Sequence, residues 1–183
     1  MAAMMRQKRK QNLTITGFFA ALTVLYALAG MPAAAASLVN AIVTDPLTGV
    51  ALEGYDPVSY FTDPEPVAGS SEHGYEWAGV HWYFSSPANR DVFMRNPEIY
   101  APQYGGHCLV SLSRGFLSDG NPRLHAIKGG KLYLFYSVAN REAFFQGQDG
   151  VVESADSNWP GLRKGLTGEE ESTVDALAPP AGH

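Results

Sequence analysis

The residues best suited to chemistry in this sequence are a single cysteine and a few histidines. Cys108 is the only cysteine among 183 residues, and it follows directly after His107. A thiolate together with imidazole nitrogens suits copper or zinc. We therefore take as candidate ligands of one of these metals Cys108, His107, His81 and His125.

The geometry of a strand limits which of these side chains meet. Residues Gly106 to Leu112 are predicted to form a strand, and neighbouring side chains of a strand point to opposite faces. His107 and Cys108 then bind one ion only if the glycines before them form a bulge. A histidine brought in from another strand, such as His81 or His125, is the better partner for Cys108.

Cys108 also has interpretations that involve no metal. It forms no disulfide within the chain, and a lone cysteine is compatible with a buried, inert side chain or with a reactive thiol. The sequence contains no phosphate-binding glycine loop, no pair of metal-binding histidines on a helix and no nucleophile elbow. An enzyme is therefore the less favoured interpretation, and a Cys108 thiolate is the one catalytic group that the residues suggest.

The elements that position these residues are two hairpins, each followed by a helix. Val80–Phe84 is a run of β-branched and aromatic residues that favours a strand. Ser86 followed by Pro87 is typical of a helix N-cap with proline at the first position. The helix is predicted to end near Arg95, because Asn96 precedes a proline and avoids helical geometry.

The same pattern occurs again 51 residues later. Seven of the fifteen residues from Gly79 to Phe93 are identical to those from Gly130 to Phe144. His125–Tyr136 is accordingly predicted as a second hairpin and Ser137 as a second helix cap. We interpret the pattern that recurs after 51 residues as an internal repeat. The predicted fold class is α+β, a small antiparallel sheet with two repeated hairpin-helix units in one domain.

The first 36 residues have the composition of a secretory signal peptide. Four basic residues precede a mostly apolar stretch from Leu13 to Gly30, and Ala34-Ala35-Ala36 provides small residues for cleavage. We expect cleavage near Ala36 and a periplasmic or secreted product that has no further contact with a membrane. A retained anchor is the alternative, because the apolar stretch is close to the shortest that spans a bilayer.

The remaining chain divides by composition into three parts. Residues 37–50 are a lead-in segment to which we assign no function, residues 51–164 form the domain, and residues 165–183 are an acidic tail predicted to be disordered. The formal net charge is −5, and removal of the basic leader makes the rest more acidic. Such a chain does not suit nucleic acid, whose binding needs clustered lysine and arginine.

Four ordered motifs lie between Leu52 and Leu162. They read GYDPVSYF from Gly54, YFSSPANRDVF from Tyr83, PEIYAPQYGG from Pro97 and DSNWP from Asp156. Together they resemble the exported YHS domain-containing proteins of bacteria. The resemblance implies a small module of the kind found in proteins that handle copper and other heavy metals, in which cysteines bind the metal.

This chain departs from the family at the residues that bind metal. The usual cysteines follow the Asp-Pro-Val motif, the strand phenylalanine and the helix start, and here those positions hold Ser59, Ser85 and Asn89. A hydroxyl or an amide is a poor ligand for zinc or copper(I), so the family's metal site does not carry over to these three residues. Exported members instead share a Gly-Gly-aromatic-Cys segment, which here has His107 in place of the aromatic residue, before Cys108.

Three functions remain open on the sequence. The first is an exported YHS-type module that binds a metal ion or a small ligand without catalysis, with an aromatic pocket beside Cys108 as the place for a small ligand. The second is a non-catalytic accessory protein that binds a protein partner. The third is a thiol-dependent enzyme or redox protein, which predicts a low pKa for the Cys108 thiol.

Overall fold

The computed structural model describes residues 41–147 and 150–167 of the chain. This part is α+β, as predicted, and it contains two antiparallel two-stranded sheets where a single small sheet was expected. The strands are β1 (Ser70–Trp77), β2 (Val80–Phe84), β3 (Asn121–Lys128) and β4 (Lys131–Phe135). The helices are α1 (Ser59–Thr62), α2 (Pro87–Arg95), α3 (Pro97–Tyr100), α4 (Leu109–Ser113), α5 (Val138–Gln146) and α6 (Val151–Thr167).

The first hairpin-helix unit, unit 1, consists of β1, β2 and α2. Ala78 and Gly79 turn the chain between the strands with φ values of 53° and 75°. The Ser86 side chain accepts a hydrogen bond from the backbone N–H of Asn89, and Pro87 lies in the first turn of α2. The strand, the cap and the helix therefore begin where local residue preferences place them.

The second unit, unit 2, consists of β3, β4 and α5. Each of its elements has the same length as its counterpart in unit 1. Gly129 and Gly130 form the turn of the hairpin with φ values of 60° and 72°, and Ser137 caps α5 by accepting a hydrogen bond from the backbone N–H of Asn140. The prediction of two hairpin-helix units is confirmed.

The segment after Cys108 differs from its prediction. Leu109–Ser113 forms helix α4, so the strand predicted from Gly106 to Leu112 is wrong. A short apolar run has no periodicity that distinguishes a strand from a buried helix. Residues 109–112 are all buried, and α4 packs against α6, so this run is covered on every side as a single helical turn.

Two apolar clusters form the core and meet at β4. One cluster contains Phe93 of α2 and the other contains Phe144 of α5. Leu134 of β4 belongs to the first cluster and its neighbour Tyr133 belongs to the second. Because successive strand residues point to opposite faces, β4 is covered on both faces and joins the two units.

Helix α6 is an element that the sequence analysis did not predict. It contains Trp159 and Pro160, and Trp159 packs against the second cluster. The helix continues to Thr167, into the segment that was assigned to the tail. The signal peptide predicted for residues 1–36, and residues 168–183 of the predicted tail, lie outside the described residues. Within the residues that are described, no helix has both the length and the apolar character needed to cross a bilayer.

Candidate functional site

The three positions at which the family places cysteines converge on one buried residue, Asp56. Asp56 is fully buried in the segment before unit 1. Its Oδ2 accepts hydrogen bonds from Ser85 N at 2.9 Å, Ser85 Oγ at 2.6 Å and Asn89 Nδ2 at 2.7 Å. Its Oδ1 accepts from Val58 N at 2.9 Å, and the Ser59 hydroxyl donates to the backbone oxygen of Asp56 at 2.7 Å.

These hydrogen bonds occupy the groups that a metal would need. The Ser59 Oγ also accepts a hydrogen bond from the backbone N–H of Val67 at 2.9 Å, so it is engaged as both donor and acceptor. Ser85 and Asn89 direct their donors at the Asp56 carboxylate rather than offering a soft ligand. The residues present therefore do not fit the metal site that the family implies, and they instead tie the Asp56 segment to β2 and α2.

Cys108 lies beside unit 2 at the place that matches the position of Asp56 beside unit 1. Its backbone N–H donates to the Ser118 oxygen at 2.8 Å, just as the Asp56 N–H donates to the Val67 oxygen at 2.9 Å. The Asn140 side chain donates to Cys108 Sγ at 3.4 Å, and the equivalent asparagine of unit 1 donates to Asp56. The Cys108 sulfur therefore lies beside unit 2 where the Asp56 carboxylate lies beside unit 1.

The surroundings of Cys108 favour its thiolate form while keeping it out of reach. The side chain is 0% exposed. Burial raises the pKa of the thiol, but the Ser111 hydroxyl, the backbone amides of Tyr136 and Ser111 and the Asn140 amide lower it by more, so the pKa lies below its usual value. The pKa of Cys108 is shifted in the direction expected of a reactive thiol, yet a reactant reaches this sulfur only if the fold opens.

The candidate histidines lie in different parts of the domain. His81 is exposed on β2, and His125 is partly buried on β3, with its ring 4.9 Å from that of a tyrosine. His107 is 6% exposed, and its ring lies 5.8 Å from that of Trp159. Among residues 41–147 and 150–167, no three His, Cys, Asp or Glu side chains lie close enough together to hold a metal ion. The structure therefore does not gather these histidines around Cys108.

His107 is a buried polar side chain whose ring lacks partners. Across the described ranges, neither ring nitrogen has a hydrogen-bond partner of good geometry. Its Nδ1 lies 3.6 Å from the Asp119 carboxylate, which is beyond hydrogen-bond distance. Burial lowers the pKa of His107 by more than the neighbouring carboxylate of Asp119 raises it. Burial therefore favours the neutral form of the ring.

All three tryptophans of the chain line one cleft of about 150 Å³, which we call the tryptophan cleft. Trp77 and Trp82 form the wall from unit 1, with ring centroids 5.7 Å apart. Trp159 forms the opposite wall from α6, and its ring lies 5.9 Å from that of Tyr104. Small or apolar residues complete the lining, namely Ala41, Ile42, Ala78, Ala101, Pro102 and Gly105.

One charged residue, Arg163, lines this otherwise apolar cleft. It follows Trp159 by one helical turn on α6, so the two side chains share a face of the helix. Arg163 is partly buried, and it forms no salt bridge with any residue that the structure describes. Neither this arginine nor the cleft was predicted from the sequence.

Unusual backbone conformations also occur beside the cleft. Ala78 has a φ of 53° and Tyr104 a φ of 55°. Ala78 lines the cleft, and Tyr104 directly precedes Gly105, which lines it too. Left-handed conformations of non-glycine residues cost about 1–3 kcal/mol each and are concentrated at functional sites. Left-handed residues, Leu52 and Glu53, also line a neighbouring cavity of about 110 Å³, which is smaller and has only Trp82 as an aromatic wall. Its aromatic walls therefore make the tryptophan cleft the stronger candidate for a ligand site.

Comparison with known proteins identifies the domain. A family model described as YHS domain matches residues 58–104. The matched segment contains unit 1 and the positions Ser59, Ser85 and Asn89, and it ends before Cys108. No curated protein and no solved structure gives a significant match to the chain. The motifs, the hairpin-helix unit and the family match agree that residues 58–104 of the chain form a YHS domain.

Proposed function

We propose that the protein is a non-catalytic module that binds a small organic molecule in the tryptophan cleft. The observation that carries this proposal is the convergence of all three tryptophans, from β1, β2 and α6, on a single cavity. A concave, mostly apolar space with aromatic walls and a few polar groups is typical of small-molecule sites.

The size of the cleft favours a ligand with a single ring. Its volume is about 150 Å³, and an engineered apolar cavity of about that volume in another protein binds benzene. The faces of Trp77 and Trp159 offer aromatic contacts, each contributing about 0.5–1.5 kcal/mol beyond the burial of apolar surface. A six-membered aromatic ring therefore matches both the volume and the chemistry of the walls.

The other functions that the sequence leaves open have less support. Copper or zinc binding by Cys108 needs further ligands at the same place, and the described histidines His81, His107 and His125 do not form a cluster with it. Thiol chemistry needs access, whereas the Cys108 side chain is fully buried and does not line the cleft. An accessory role with a protein partner remains the alternative if no small molecule binds.

Tryptophan fluorescence tests the proposal directly, because every tryptophan of the chain lines the cleft. The full chain is titrated with toluene, benzyl alcohol, benzylamine and benzoate, and separately with copper(I) and zinc. We expect a saturable change with at least one aromatic compound and a calorimetric stoichiometry of one. The proposal is refuted if none of the four compounds binds.

A pair of variants locates the binding. Trp159→Leu removes one aromatic wall and is expected to weaken binding by up to about tenfold. Phe145→Ala is the matched control, because Phe145 is 63% exposed on α5 and does not line the cleft. Equal affinities of the two variants for the compound would place the ligand elsewhere and contradict the proposal.

We also propose that the protein is exported and acts in the periplasm or outside the cell. The support is the N-terminal sequence, which has basic residues, an apolar stretch and the small residues Ala34 to Ala36 in the order of a signal peptide. Mass spectrometry of the protein from the periplasmic or secreted fraction is expected to find Ser37 at the N-terminus. A chain that keeps its leader in the membrane fraction would contradict cleavage.

A further inference from the structure

The charge of Arg163 points to the chemical class of the ligand, and the inference drawn from it rests on the proposed function. Arg163 and Trp159 share one face of α6, and both line the tryptophan cleft. A ligand whose ring lies against Trp159 would place a substituent within reach of the guanidinium one turn further along the helix. The cleft therefore pairs an aromatic wall with a single positive charge.

Two observations indicate that this charge is available to a ligand. The chain has a net charge of −5, with 18 acidic side chains, yet no described carboxylate forms a salt bridge with Arg163. The other residues that line the cleft carry no charge. A partly buried arginine on an apolar wall, without a salt-bridge partner among residues 41–147 and 150–167, is complementary to an anionic group.

We propose that the cleft binds a single-ring aromatic carboxylate, with the ring between the tryptophans and the carboxylate on Arg163. The guanidinium presents its N–H groups as a planar fork that matches the two oxygens of a carboxylate, and such charge-assisted pairs are stronger than neutral hydrogen bonds. The half-buried setting reduces screening by water relative to a pair on the surface. The volume of the cleft limits the ligand to a single ring, and Arg163 favours a negative charge on that ligand.

Comparing benzoate with benzamide separates the contribution of the aromatic ring to affinity from the contribution of the negative charge. They have nearly the same shape, but only benzoate carries a negative charge at neutral pH. A hydrogen-bonded pair with a charged group corresponds to about 10- to 100-fold in affinity. Calorimetry and tryptophan fluorescence with the full chain are therefore expected to show benzoate binding more tightly than benzamide by a factor in that range.

Matched charge variants assign the preference to one residue. Arg163→Gln is expected to reduce benzoate affinity to the level of benzamide and to leave benzamide affinity unchanged. Lys164→Gln removes the same charge from the next residue of α6, which is exposed and does not line the cleft, and it should leave both affinities unchanged. Arg163→Lys keeps the charge without the fork and should give an intermediate benzoate affinity.

The outcomes distinguish this inference from the proposed function. If benzoate and benzamide bind the wild-type chain equally, the carboxylate inference is overturned while ligand binding in the cleft stands. The carboxylate inference is likewise overturned, and ligand binding in the cleft stands, if Arg163→Gln keeps the preference for benzoate. If neither probe binds but toluene or benzylamine does, the inference again fails alone. If no compound binds, both fail. The wild-type comparison decides the question even if Arg163→Gln does not fold.

Discussion

Replacing Asp56 with alanine is expected to destabilise the domain strongly. The carboxylate is fully buried and accepts four hydrogen bonds, three at Oδ2 and one at Oδ1. Its donors belong to three places, namely Val58 in the segment before unit 1, Ser85 after β2 and Asn89 in α2. Removing the carboxylate leaves these donors without their acceptor and separates the segments that it joins.

The size of the loss in the free energy of unfolding depends on how much water reaches each donor. A buried donor left without a partner costs about 1–3 kcal/mol, and breaking a buried charged network costs about 3–5 kcal/mol in total. Ser85 is exposed and Asn89 partly exposed, whereas Val58 is buried, so water replaces part of the lost interaction. We therefore expect a loss near the lower end, about 3 kcal/mol, out of the roughly 5–15 kcal/mol by which a domain is stable.

Urea unfolding followed by tryptophan fluorescence measures this loss as a change in the free energy of unfolding. Asp91→Ala is the matched control, because the Asp91 side chain is 53% exposed and pairs with its neighbour Arg90; it should cost less than about 0.5 kcal/mol. Asn89→Ala, which removes one donor, should cost about 1 kcal/mol. A loss below about 1 kcal/mol for Asp56→Ala would refute the argument that this network ties unit 1 together.

The cysteine, a buried histidine and the helix caps give further measurable effects. Cys108 should react with a thiol reagent only after unfolding, since it is 0% exposed; fast reaction of the folded protein would contradict this. Burial lowers the pKa of His107 below 6.5, so the unfolded chain binds its proton more readily, and the free energy of unfolding should fall as pH drops below 6.5. His107→Phe should reduce that slope. Ser86→Ala and Ser137→Ala should each cost about 1 kcal/mol in urea unfolding, and unchanged stability would argue against the caps.

Several local elements were predictable because their causes lie within a few residues. Ser86 and Pro87 place the start of α2, and Ser137 places the start of α5 by the same capping geometry. The run from Val80 to Phe84 forms β2 as expected. In each case the backbone conformation and the side chain that stabilises it belong to the same short segment.

Other features were not predictable from local patterns. The apolar run after Cys108 is compatible with either a strand or a helix. Only its burial against α6 makes it the helix α4. His81 was one candidate partner of Cys108, and it lies exposed on β2, because Trp82 rather than its neighbour faces the core. The direction of a side chain in a two-stranded hairpin depends on which face the rest of the domain covers.

The sequence by itself determined the α+β class, the two hairpin-helix units and their caps, because these depend on hydrogen bonds and residue preferences within each unit. Only the tertiary structure decided that Ser59, Ser85 and Asn89 meet at Asp56. It also decided that Trp159 and Arg163 of α6 complete a cleft begun in unit 1. These contacts join residues that are far apart in the chain, and the packing of the two clusters around β4, which no local pattern encodes, brings them together.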